Sequence, residues 1–290
     1  MRSIYAVVLV GWACVSVWAG ISGCNIINPA EPVPTYVHID SIGFTGADSM
    51  GGSSHRITNV YAYFDDIPVG IFDLPVTFPV IASQAGRLTL TPGIDFDGLT
   101  GYETINPMYT SDTPTLTPNP GQTINLKPHV TYNSGVRPIL VERFDEGTAS
   151  PLYFKTLSGD TSMLITHSST DVLEGVGSGL VRLIPGKDSV TFISIPFGLT
   201  GGTNSYIELD YKGNLPLYVG MSAQLNAGGS YLEYQIALKP QANWRKIYIG
   251  IRDFVTANPG YNYQVLLQTV KPSDTPDGTL FLDNVKVVSF

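Results

Sequence analysis

Tyr218, Gln235, Lys246, Tyr248 and Gln268 fall at matching positions of segments in which apolar and polar residues alternate. Successive side chains of an extended strand point to opposite faces, so such alternation marks one buried and one open face. Take Ile207, Leu209, Tyr211, Leu217, Val219, Met221, Leu232, Tyr234, Ile236, Ile247, Ile249, Val265 and Leu267 as the inward set. The five then share the opposite face with Glu208, Asp210, Tyr231, Glu233 and Gln264. Rings set among amides and charges suit a hydroxyl-rich ligand: rings stack on the apolar faces of a pyranose, while Gln, Glu and Lys bond its hydroxyls. A plain solvated sheet face shows the same alternation, so both readings stand at this point.

Other chemistries leave no signature. There is no His-Glu-x-x-His. Gly175-Val176-Gly177-Ser178-Gly179 lacks the Gly-x-Ser-x-Gly order of a nucleophile elbow, and no helix pattern follows to make a dinucleotide fingerprint. It reads as a glycine-rich turn entering a strand. His38, His55, His129 and His167 are scattered, with no second ligand at metal spacing. A glycosidase needs two carboxylates facing across a cleft, and no local motif nominates a pair. The chain reads as a binder and not as an enzyme.

The elements that must position such a face are strands. Only 14% of the 290 residues are charged, while β-branched and aromatic residues are frequent, a composition that fits an all-β chain. The formal charge of −8 leaves no basic stripe for nucleic acid and nothing to hold an anionic membrane surface.

Residues 36–133 read as one domain. Val37, Ile39, Ile42 and Phe44 nearly alternate, with one slip that suggests a bulge. Residues 60–64 and 67–72 flank an acidic turn at Asp65-Asp66, as in a hairpin. Residues 98–121 form a Thr/Pro/Asn-rich connection. After Asn133-Ser134-Gly135 a second series of strands fills residues 136–290 with no helix-length pattern, the spacing of a jelly-roll β-sandwich.

The first 23 residues have the layout of an export signal: Arg2, an uncharged apolar run over residues 4–19, then small residues before a cysteine. Ile21-Ser22-Gly23-Cys24 resembles the lipobox of bacterial lipoprotein signal peptides, where the cysteine becomes the lipidated first residue. That resemblance implies lipidation at Cys24 and an outer-membrane lipoprotein held by its lipid, on the periplasmic or the cell-surface face. Cys14 leaves with the leader, so the remaining chain has no cysteine pair for a disulfide. Residues 24–35 carry three prolines and read as the anchor and a semi-extended tether.

Two further resemblances concern the domains. Residues 61–70, Tyr-x-Tyr-Phe-Asp-Asp-x-Pro-Val-Gly, resemble a hairpin of small immunoglobulin-like domains of bacterial envelope proteins, including the PEGA type. Trp244-Arg245-Lys246-Ile247-Tyr248-Ile249 together with Leu280-Phe281-Leu282-Asp283-Asn284-Val285-Lys286-Val287 resembles galactose-binding-like and carbohydrate-binding jelly rolls. The implied fold is an immunoglobulin-like β-sandwich followed by a jelly roll, and the implied ligand a glycan. No cofactor is expected beyond a structural calcium between first and last strands, with Glu142 and Asp283 as its positions. Such a cage needs six or more oxygens. Trp244 either stacks a ligand or closes one end of the core. The alternative function is a structural subunit docked on an outer-membrane assembly or secretion complex through the first domain and residues 102–120. A glycan-processing enzyme is the remote third.

Overall fold

The computed structural model describes residues 31–290 apart from positions 100 and 160. The leader, Cys24 and tether residues 24–30 lie outside the described residues. The described chain is all β, and its only α-helix is the six-residue α1 (Arg252–Ala257). No helix among the described residues is long and apolar enough to cross a membrane.

The first domain contains β1 (Thr35–Ile39), β2 (Gly43–Thr45), β3 (Asn59–Phe64), β4 (Ile67–Asp73), β5 (Val76–Val80), β6 (Gly86–Asp95), β7 (Glu103–Ile105), β8 (Thr115–Leu116), β9 (Thr123–Leu126) and β10 (His129–Thr131). One sheet runs β4-β3-β6-β7 with β8 also on β6; facing it are the sheet β5-β1-β9 and the pair β2-β10. The slip between Ile39 and Ile42 is a break. The strand leaves its parallel partner β9 at Ile39 and resumes at Gly43 beside β10, and both isoleucines stay buried. The Asp65-Asp66 hairpin turn puts both residues in the left-handed region, at φ 47° and 66°, the geometry that matches strand twist. Their carboxylates hold it: Asp65 accepts the Arg87 amide at 2.7 Å and Asp66 takes the Arg87 guanidinium at 2.6 and 2.7 Å.

The second domain contains β11 (Arg137–Glu142), β12 (Phe154–Gly159), β13 (Leu164–Thr166), β14 (Ser178–Leu183), β15 (Ser189–Ser194), β16 (Ser205–Gly213), β17 (Leu217–Leu225), β18 (Ser230–Leu238), β19 (Gln241–Gly250), β20 (Gly260–Val270) and β21 (Gly278–Ser289). One sheet runs β13-β14-β21-β16-β19, and β14 and β11 share an edge of the long β21. The other runs β12-β15-β20-β17-β18. Between them Ile207, Leu209, Val219, Met221, Ile247, Ile249, Val265 and Leu267 pack into one core, as their alternation requires.

The outer face of the first of these sheets is not open. The first domain lies on it, and Tyr206, Tyr248 and Val288 belong to that domain's core cluster. Beneath the contact sits a buried ion network. Glu208 accepts the Tyr132 hydroxyl at 2.9 Å and stands 3.5 Å from Lys286 Nζ and 3.8 Å from Lys246 Nζ. Asp210 takes Lys246 Nζ at 3.2 Å and the Ser54 hydroxyl, while Lys286 Nζ donates to Met50 O at 2.9 Å. Burial pulls the Lys286 ammonium down to about 8 although Glu208 favours its charged form. Burial and the Glu208 charge raise the Tyr109 and Tyr248 hydroxyls, which stay protonated and bond each other at 3.2 Å.

The connection at residues 102–120 is also tied down. It contains β7 and β8, its Met108 and Tyr109 are buried, and only parts such as Tyr102 are exposed. Asn106, Met108, Tyr109 and Leu116 are thus withdrawn from the surface, while Tyr102, Glu103 and Ile105 stay exposed.

Candidate functional site

The sheet β12-β15-β20-β17-β18 leaves its other face open, and strand register assigns the residues on it. A first row, from β12 to β18, reads Ser158, Thr191, Gln268, Tyr218 and Ala237. The second reads Lys155, Ile193, Leu266, Gly220 and Tyr234. Gln264, Ser222 and Leu232 make a third, and Asn262, Gln224 and Ser230 a fourth.

The middle of this face is a recess. Leu266 has 0% exposure yet belongs to neither core cluster, and Ile193 beside it is also buried outside them. An apolar side chain shielded on an open sheet face sits below the side chains that flank it. At one end Tyr218 and Tyr234 form an edge-on pair with ring centroids 6.4 Å apart. Gly220 makes room for it: a Cβ there would stand 2.9 Å from Tyr234 Cδ1. The amides are pinned along the rows, Gln268 Nε2 donating to Thr191 Oγ1 at 3.0 Å and Gln264 Nε2 to Ser194 O at 2.7 Å. Each keeps its carbonyl oxygen as an acceptor.

Of the five residues singled out by alternation, Tyr218 and Gln268 are adjacent in the first row. Gln235 is the residue left unpaired in the β-bulge between β17 and β18, its Nε2 buried without a partner. Lys246 and Tyr248 do not join them. They belong to β19 in the other sheet and lie under the first domain, 4% and 1% exposed. Glu208 and Asp210 correct in the same way, from a solvated face to the buried network. The bulge also inverts the alternation of β18. Leu232 and Tyr234, expected inward, are 48% and 37% exposed. Tyr231, expected outward, is 42% exposed and stacks on Phe254 of α1 at 6.1 Å.

Lys155, Ile193 and Leu266 escaped sequence reasoning. The doublet Leu266-Leu267 was the available signal: two successive apolar residues in one strand bury both faces. For Lys155 no signal existed, because β12 is mostly exposed and shows no clean period.

Trp244 lies on the outer face of the other sheet, beside Phe281 and Lys212, and belongs to neither core cluster. It is edge-on to Phe281 at 6.5 Å, with Lys212 Nζ over both rings. The glycine run enters β14 through a turn in which Asp145 accepts the amides of Val176 and Gly177 at 2.7 and 3.1 Å.

The two carboxylates considered for calcium are each held by protein donors. Glu142 accepts the amides of Phe144 and Tyr153 at 3.0 and 2.9 Å. Asp283 accepts the Ser178 hydroxyl and the amides of Leu173, Glu174 and Asn284. Two donors on Glu142 and four on Asp283 tie both carboxylates into the protein's own hydrogen bonds. Among the described residues no group of three or more His, Cys, Asp or Glu could hold a metal.

Burial pushes the Asp283 carboxyl up to about 7 against the pull of those donors. A carboxyl raised in the folded state favours the protonated protein. Its contribution is fully present below the ordinary value of 3.8 and is lost as pH rises through about 7. The thermal midpoint is therefore expected to fall across that window, and this slope to flatten in Asp283→Asn; an unchanged slope assigns the titration elsewhere.

No family model matches the chain, and no curated protein matches it. Solved structures do match over about half of it. The module TmCBM61 in complex with beta-1,4-galactotriose aligns at 14% identity and TM-score 0.34, over 50% of this chain and 92% of that one. The C-terminal family 22 carbohydrate-binding module of Clostridium thermocellum Xyn10B gives 13% and 0.36, over 52% and 94%. The xylan-binding CBM22-1 domain of Paenibacillus barcinonensis Xyn10C gives 14% and 0.37, over 52% and 92%. At these scores and identities, function has to be argued from the recess itself.

Proposed function

We propose that the protein binds glycan, without catalysis, in the recess of the β12-β15-β20-β17-β18 face. One observation carries the reading: a tyrosine pair and two pinned glutamines surround a shielded apolar floor on an otherwise open sheet. A pyranose presents CH faces to rings and hydroxyls to amides, so this surface matches both. The rows hold no carboxylate, so the acid and base of glycoside hydrolysis have no place there. Affinity electrophoresis through gels cast with β-1,4-galactan or xylan tests the reading; retardation supports it, and free migration through a wide polysaccharide panel contradicts it.

The leader belongs to the same proposal. Lipid on Cys24 would hold the domains at the outer membrane, each buried methylene contributing about 0.8 kcal/mol. Cys24→Ser is expected to leave the protein unlipidated and in the soluble fraction. Full partition of that variant with membranes means that lipid is not the anchor.

A second reading has its own observation. The edge strand β4 exposes Ile67 and Ile71 at 69% and 60%, an apolar edge suited to a protein partner at the outer membrane. A stoichiometric membrane protein copurified in mild detergent, and lost in Ile71→Lys, would favour this docking role over glycan.

A further inference from the structure

One end of the recess carries a lone positive charge. Lys155 is the only charged residue of the four rows, in a chain whose acidic residues number 24 against 16 Lys and Arg. It is exposed, and no salt bridge among the described residues involves it. Lys212, Lys246, Lys271 and Lys286 all face carboxylates instead.

Lys155 also stands at a cavity. About 170 Å³ opens at the β12 edge, lined by Tyr153, Lys155, Ser194, Ile195, Pro196 and Gln264 among others. Gln264 lines this cavity and also belongs to the third row, and Lys155 belongs to the second, so the cavity adjoins the face. With its Nε2 held by Ser194 O, Gln264 offers an acceptor for a hydroxyl. A ring, an amide acceptor and an unpaired ammonium around one cavity suit a sugar that is itself anionic.

We propose that the β12 end of the face selects an acidic sugar residue, a uronate, whose carboxylate pairs with Lys155 Nζ over the cavity lined by Tyr153 and Gln264. The inference rests on the glycan reading of the recess. The net charge of −8 opposes unspecific attraction to polyanions, so retention by one is a site-specific result.

The test uses polygalacturonate and alginate beside the carboxyl-reduced form of each, with β-1,4-galactan and xylan as further neutral probes. Affinity electrophoresis is run on wild type, Lys155→Gln, and Lys127→Gln as a control for a lysine off this face. At least one uronate polymer is expected to bind about tenfold more tightly than its reduced form. Lys155→Gln should bring the ratio of uronate to carboxyl-reduced binding down to about one, and Lys127→Gln should leave that ratio unchanged. Equal or better binding of the neutral forms overturns the acidic preference while the glycan reading stands. Retention by none of the polymers overturns both. A preference that survives Lys155→Gln removes the role assigned to that lysine.

Discussion

Glu208→Gln is expected to cost about 3–5 kcal/mol, the range for removing one partner of a buried ion pair. Glu208 is the acceptor shared by Tyr132, Lys246 and Lys286, and all of these charges are buried. With glutamine there, two ammonium groups face Asp210 alone. Small folded proteins hold only about 5–15 kcal/mol in total, so a loss of this size is visible as a large fall in the denaturation midpoint. Loosening of the two domains should also expose residues 133–136 to proteolysis. Glu208→Gln with Lys286→Met restores the charge balance and should recover most of the loss, because a balanced apolar replacement of a buried pair is often neutral. A loss below about 1 kcal/mol in the single variant would mean that the network does not hold the domains together.

Tyr218→Ala is expected to weaken glycan binding roughly 30-fold, and Tyr218→Ala with Tyr234→Ala to abolish it. The figure follows from about 2 kcal/mol for truncating a central aromatic contact. Folding should suffer little, since both rings stand outside the core clusters and cost at most about 1 kcal/mol. Lys246→Ala and Tyr248→Phe give the opposite pattern: they touch the buried interface and should lower stability without altering affinity in the protein that remains folded. A glycan affinity insensitive to Tyr218 and Tyr234 but sensitive to Tyr248 would reverse the assignment of faces.

The contrast between Tyr218 and Tyr248 shows how far the sequence could be read. Both alternate with core residues, and alternation reports which side of a strand faces the sandwich, nothing more. It placed Ile207, Leu209, Val219, Val265 and Leu267 in the core. What covers the other side depends on a domain more than a hundred residues earlier, whose Ser54, Tyr109 and Tyr132 complete a polar interface that resembles a solvated surface in composition. The bulge beside Gly220 was equally hidden, since one extra residue in β18 reverses Leu232 and Tyr234 with no break in the apolar pattern. The slip between Ile39 and Ile42 was legible as two buried residues out of phase, but the sequence suggested a bulge where the chain breaks between β1 and β2. Glu142 and Asp283 were singled out as oxygen donors to a cation, yet their partners are backbone amides and a serine hydroxyl, and sequence does not announce where amides converge.

Amide hydrogen exchange with and without saturating polysaccharide tests the location of the site most directly. Peptides from β17, β18 and β20, which carry Tyr218, Tyr234 and Gln268, should gain protection on binding, while those of β16 and β19 should not change. Protection confined to β16 and β19 or to the first domain, or none with ligand demonstrably bound, would contradict the recess as the binding site.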